Sequence, residues 1–165
     1  MDFANIEHLK EAGFTGFKRM GELFKDNSAI PREKGVYLVL NLNTDPGEFL
    51  PVGTGGFFKG KNPNVPIDIL KSKWVENAIV LYIGRTGKVG SKRTLHARLI
   101  ELLKFGQGIN IGHWGGRYIW QLKNSGDLVV CWKALPTEDP SVVKSDLIRQ
   151  FVFKHSTRPF ANLAD

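Results

Sequence analysis

AIVLYIGRT, residues 78–86, is the stretch on which the reading of this chain turns. Ala78, Ile79, Val80, Leu81 and Ile83 make a nearly continuous apolar run of strand length, the pattern of a strand buried on both faces, with Tyr82 near its end. Gly84 lets the backbone turn or approach another group closely, and Arg85 and Thr86 offer donors to an anionic oxygen. A second run of the same kind, GVYLVLNL at residues 35–42, carries Tyr37. Two strand-like runs, each with a tyrosine beside a glycine, mark the place to look for a site.

The 165 residues are 42% hydrophobic. A chain of this size can form one domain, which buries roughly 70% of its unfolded surface. The single cysteine, Cys131, lies in the apolar run LVVCW and reads as a small core residue in a reducing compartment. No run reaches the roughly 20 apolar residues of a membrane span, and residues 1–11, MDFANIEHLKE, have neither the basic nor the apolar region of a leader. The expectation is a cytoplasmic protein without a membrane partner. Lys and Arg outnumber Asp and Glu by 23 to 16, a net charge of +7. That charge suits a surface that displaces counterions from a phosphate backbone, and it also suits a set of solvated faces. The excess gathers at Lys59 and Lys61, at Arg85, Lys88, Lys92 and Arg93, and at Lys144, Arg149, Lys154 and Arg158.

Residues 5–26 predict two short helices flanking a turn, because Ile6, Leu9, Phe14, Phe17, Met20, Leu23 and Phe24 recur at mostly helical intervals broken by Gly13, Thr15 and Gly16. Residues 1–34 thus form a helical extension ahead of the first strand. Residues 43–77 are an insertion between the two tyrosine runs. Its Gly-, Pro- and Asn-rich first part includes GTGGFFKGK, which lacks the ending of a Walker A loop and reads as a tight surface loop or as a DNA-contacting flap. Its second part is a short helix through Ile67, Leu70 and Trp74. Thr94 can N-cap a helix to residue 105. Arg98 shares the stripe of Leu95, Leu99, Leu102 and Leu103, so it either snorkels from the core or enters a site. The loop QGINIGHWGG presents His113 and Trp114, with no second ligand at metal spacing nearby. RYIWQL and LVVCWKAL read as two further β-runs, the second a third central strand, and residues 140–155 as the last helix.

GVY (Gly35, Val36, Tyr37) and YIG (Tyr82, Ile83, Gly84), in that order on two β-runs and followed by a helical Arg98 and by RPFANL, resemble the GIY-YIG nuclease superfamily. The resemblance spans about residues 35–163; the insertion and the HWGG-RYIWQL segment resemble a stand-alone, single-domain bacterial branch. It implies an α/β (α+β) fold with a small central three-stranded mixed sheet flanked by helices. It also implies a DNA endonuclease that hydrolyses phosphodiesters with one Mg²⁺ or Mn²⁺. Tyr37 and Tyr82 match the tyrosines that help deprotonate the attacking water, for which Arg85 and Arg98 would have to lower a phenol pKa. Arg98 matches the arginine that stabilises the attacked phosphate, and Asn162 the residue that orients its neighbours. Arg85, Lys88, Lys92, Arg93 and His113 are candidates for substrate contact.

One residue departs from this pattern. The metal-binding glutamate of the family should stand three residues before Leu147 and Ile148, where this chain has Lys144. Lys144 shares the stripe of Leu147, Ile148 and Phe151, whereas Asp146, about 200° further round the helix, cannot replace it. An ammonium cannot ligate a metal, but it can neutralise a phosphate. Leu102 is a second departure, at a position where some members carry histidine. Three readings follow: an endonuclease impaired by Lys144, a non-catalytic DNA-binding descendant, and an interaction domain, the last favoured by buried tyrosines.

Overall fold

In a computed structural model that describes residues 2–88 and 90–164, the chain runs α1 (Ile6–Glu11), β1 (Thr15–Arg19), α2 (Met20–Lys25), β2 (Gly35–Leu40), α3 (Ile67–Lys73), β3 (Val80–Arg85), α4 (Leu95–Gly106), β4 (Val129–Ala134) and α5 (Pro140–His155). Val89, in the basic loop after β3, and the two terminal residues of the expected 1–165 domain lie outside the described residues. No helix among the described residues is long and apolar enough to cross a membrane.

The apolar runs become strands because both faces of the sheet are covered. β2 is buried throughout, and its period of two sends Val36, Leu38 and Leu40 to one face and Tyr37 and Val39 to the other. The first face packs on Leu9 of α1 and on Leu147, Ile148 and Phe151 of α5. The second packs on Leu95, Leu99 and Leu102 of α4 and on Trp120. Near-continuous burial explains why these strands read as unbroken hydrophobic runs although their neighbours are antiparallel.

The four strands lie in the order β1-β4-β2-β3, and every pair is antiparallel. This corrects the three-stranded mixed sheet expected above: the sheet has a fourth strand and no parallel pair. The extra strand is the segment expected to be a turn between two N-terminal helices. Gly13 and Gly16 have positive φ, and so does Phe17 at 54°, which bends residues 13–17 into an extended, bulged path along the edge of β4. Pairing with β4 supplies the backbone partners that the short segment cannot find in itself. A second correction concerns RYIWQL, which is not a β-run. Trp114–Gln121 winds as 3₁₀ helix with a kink at Gly116, burying Tyr118, Ile119 and Trp120 in succession.

The helices that carry the site begin where caps set them. Thr94 Oγ1 accepts from the Ala97 N–H at 3.1 Å and starts α4. The Asp139 carboxylate accepts from the Ser141 N–H at 2.9 Å, Pro140 takes the first position of α5, and Ser156 in the left-handed region ends it.

Candidate functional site

β3 and β2 end together. Thr86 N–H donates to the Gly35 carbonyl at 3.0 Å, and Gly35 N–H donates back to Thr86 Oγ1 at 3.2 Å. This double tie fixes the backbone from which Arg85 projects, and Arg85 Nη1 donates to the Thr86 carbonyl at 2.8 Å. Between this strand end, α4 and α5 opens a cavity of about 310 Å³, lined by Tyr82, Arg85, Arg93, Arg98, Glu101 and Lys144 together with Thr86 and Gly87. Four cations face one carboxylate. A larger hollow, about 620 Å³, runs between Asp146 and Lys154 but is bounded by the outer face of α5 alone and gathers none of the expected site residues.

Arg98 enters the cavity and does not snorkel away from it. Its Nη1 donates to Glu101 Oε2 at 2.8 Å and to the Gly112 carbonyl at 2.6 Å, so the guanidinium is held between α4 and the loop that follows. Glu101 also pairs with Arg93, and it is the site residue that the sequence reading missed. Its spacing from Arg98 was the available signal, because residues three apart share a helix face. Lys144 reaches the same cavity from α5, as the stripe it shares with Leu147 and Ile148 requires, while Asp146 stands outside and pairs with Arg149.

Beneath this cationic wall lies a buried polar chain. Tyr37 is fully buried and Tyr82 only 5% exposed, with ring centres 6.0 Å apart. The Tyr37 hydroxyl and His113 Nε2 are 2.7 Å apart and share a hydrogen bond. Tyr37 stands opposite Gly84 in the sheet, and its ring lies over that glycine, where a Cβ would come within 2.2 Å of Cζ. The glycine of the second triplet is therefore a packing requirement of the tyrosine of the first.

The electrostatics of the phenols correct an expectation. Burial pushes the Tyr37 pKa well up and raises that of Tyr82, and Arg98 opposes this without reversing it. Desolvation penalises the charged form, and here it outweighs the nearby guanidinium. Both phenols stay neutral. Burial, followed by the positive charge of Arg98, lowers His113 to about 3, so its imidazole is neutral as well.

The remaining expected residues separate. Asn162 is buried and does not face the cavity: its side chain accepts from Ile83 N–H and donates to the Ile83 carbonyl, each at 2.9 Å, clamping the tail onto β3 beside the Ala161–Leu81 backbone bond. Lys88 borders a separate hollow with Lys34 and Asp139, and Lys92 is exposed without lining the cavity. His113 lies below the wall and touches Tyr37, not the open space.

The donor set also bears on the metal that the resemblance implies. Among the described residues that line the cavity the only carboxylate is Glu101, already engaged by two arginines, and an ammonium occupies the position of the expected glutamate. Among the described residues no group of three or more His, Cys, Asp or Glu could hold a metal ion. Such a site fits an anion and does not fit Mg²⁺ or Mn²⁺. Compared with protein-family models, with curated proteins and with solved structures, the chain matches none.

Proposed function

We propose that this chain is a DNA-binding protein with a site of the GIY-YIG nuclease type, which holds a backbone phosphate between Arg85, Arg93, Arg98 and Lys144 and cleaves it weakly or not at all. The observation that carries this reading is the cavity with four cations and one carboxylate. Guanidinium groups suit phosphate because their planar fork donates two parallel hydrogen bonds, and an ammonium adds a compact charge. Glu101 holds Arg93 and Arg98 in place before a ligand arrives, and a phosphate then competes with it for their donors.

The same residues argue against efficient hydrolysis. Attack on a phosphodiester needs a deprotonated nucleophile and positive charge at the developing phosphorane. The wall supplies the charge. Neutral, buried Tyr37 and Tyr82 supply no base, and Lys144 supplies no metal ligand. Burial of the tyrosines is also what an interaction domain would have, but such a domain has no need of a concave wall of four cations.

The experiment is a comparison of the chain with its Lys144→Glu form for duplex binding and for cleavage with Mg²⁺ and Mn²⁺. The expected result is binding with little cutting by the chain as written. The variant should gain metal-dependent cutting or, failing that, bind DNA more weakly because the site has lost a cation and gained an anion. Efficient Mg²⁺-dependent cleavage by the unaltered chain would establish the endonuclease reading in its place. No binding at low salt would favour the interaction domain.

A further inference from the structure

The glycine-rich loop of the insertion is tied to the rest of the protein by hydrogen bonds and a close backbone approach. Thr54 N–H donates to the Trp120 carbonyl at 3.1 Å, and Lys59 N–H donates to Asn110 Oδ1 at 3.2 Å. A Cβ at Gly56 would stand 2.1 Å from the Ile109 carbonyl oxygen, an approach only glycine allows. Phe58 packs against the core from this loop, yet Phe57 next to it is left 51% exposed. Two lysines follow, Lys59 over the Phe58 ring at 5.2 Å and the exposed Lys61. The loop abuts the cavity wall: position 112 lies against the Phe58 ring, and the Gly112 carbonyl is the one that accepts from Arg98.

An exposed aromatic ring, followed along the loop by two exposed lysines, matches what unpaired nucleotides bind. Every base has a π-face, and the lysines can follow the phosphates. An uninterrupted duplex keeps its base faces in the stack, and opening a step to reach one costs a few kcal/mol that an unpaired base does not demand. We propose that Phe57, with Lys59 and Lys61, is a stacking platform for an unpaired base. On this inference, which rests on the phosphate reading above, the preferred ligand is single-stranded or frayed DNA beside the phosphate in the cavity.

The test is fluorescence anisotropy of the full chain with a single strand, a duplex carrying a single-stranded tail and a blunt duplex. It compares the unaltered protein, Phe57→Ala and Phe57→Trp, with 2-aminopurine in the tail as a reporter of stacking. Tailed and single-stranded DNA should bind more tightly than blunt duplex. Phe57→Ala should lose roughly 5-fold or more on tailed DNA and leave the blunt duplex unchanged, since a stacked base is worth about that much or more. Phe57→Trp should retain the affinity and the change in 2-aminopurine fluorescence. Equal binding of tailed and blunt DNA, with no effect of Phe57→Ala, overturns the platform and leaves the phosphate reading standing. No binding of any DNA at low salt overturns both.

Discussion

His113 makes the folded chain sensitive to acid well above the range in which carboxylates titrate. Its imidazole is lowered from 6.5 to about 3 by burial first, with further lowering from the positive charges of Arg98 and Lys144. The folded pKa lies below the unfolded one, so the unfolded chain takes up the proton first. The stabilising contribution is therefore complete above pH 6.5 and declines as pH falls toward 3. One pKa unit corresponds to about 1.4 kcal/mol, and integrating from pH 7 to pH 5 gives a loss of about 2 kcal/mol from this residue alone. Asp2, Glu22, Asp26 and Asp139 have lowered pKa values and act in the same direction, but only below the ordinary carboxylate range. His96 and His155 are lowered too, but they are more exposed, and solvent screens their effect. Urea unfolding at pH 7 and pH 5 measures the loss, with His113→Gln as reference because its amide still offers Tyr37 a hydrogen-bonding partner. The unaltered chain should lose about 2 kcal/mol more than the variant between the two pH values. An equal loss in both would refute the assignment of a buried, neutral imidazole.

Two substitutions probe the packing under the site. Gly84→Ala drives a Cβ into the Tyr37 ring, which is fully buried and hydrogen-bonded to His113 and so cannot give way; overpacking of this kind should cost about 2 kcal/mol or more and appear as a lower thermal midpoint. Asn162→Ala leaves the Ile83 N–H and carbonyl without their side-chain partners, which should cost roughly 2 kcal/mol or more in denaturant unfolding, with faster hydrogen exchange at the Ile83 amide.

The parts of this fold that could be read from sequence are those in which local pattern and tertiary environment agree. β2 and β3 are buried on both faces, so an unbroken apolar run was sufficient signal, and Thr94 and Asp139 mark the starts of α4 and α5 by capping. β1 was hidden because TGFKR has no strand pattern of its own and becomes a strand only by pairing with β4 through a bulge. RYIWQL misled in the opposite direction: its aromatic and β-branched residues suit a strand, yet consecutive burial beside Gly115 and Gly116 favours a tight helical winding. At the site, helical spacing brought Arg98 and Lys144 into one cavity as expected. Spacing could not reveal how deeply Tyr37 and Tyr82 are buried, and that burial is what raises their pKa values against the lowering that the resemblance requires. Asn162 was expected in the site only through the family resemblance; its role as a clamp on Ile83 depends on a fold-back of the tail that no local pattern encodes.

The central claim is that the cationic cavity holds a nucleic-acid phosphate, and the most direct measurement is the salt dependence of DNA binding by the chain and by its Arg98→Gln form. With duplex DNA the logarithm of the affinity should fall linearly with the logarithm of salt concentration, with a slope near −0.9 for each phosphate contacted, and Arg98→Gln should reduce the magnitude of that slope by about 1. Binding that is independent of salt, or a slope unchanged by Arg98→Gln, would contradict the account.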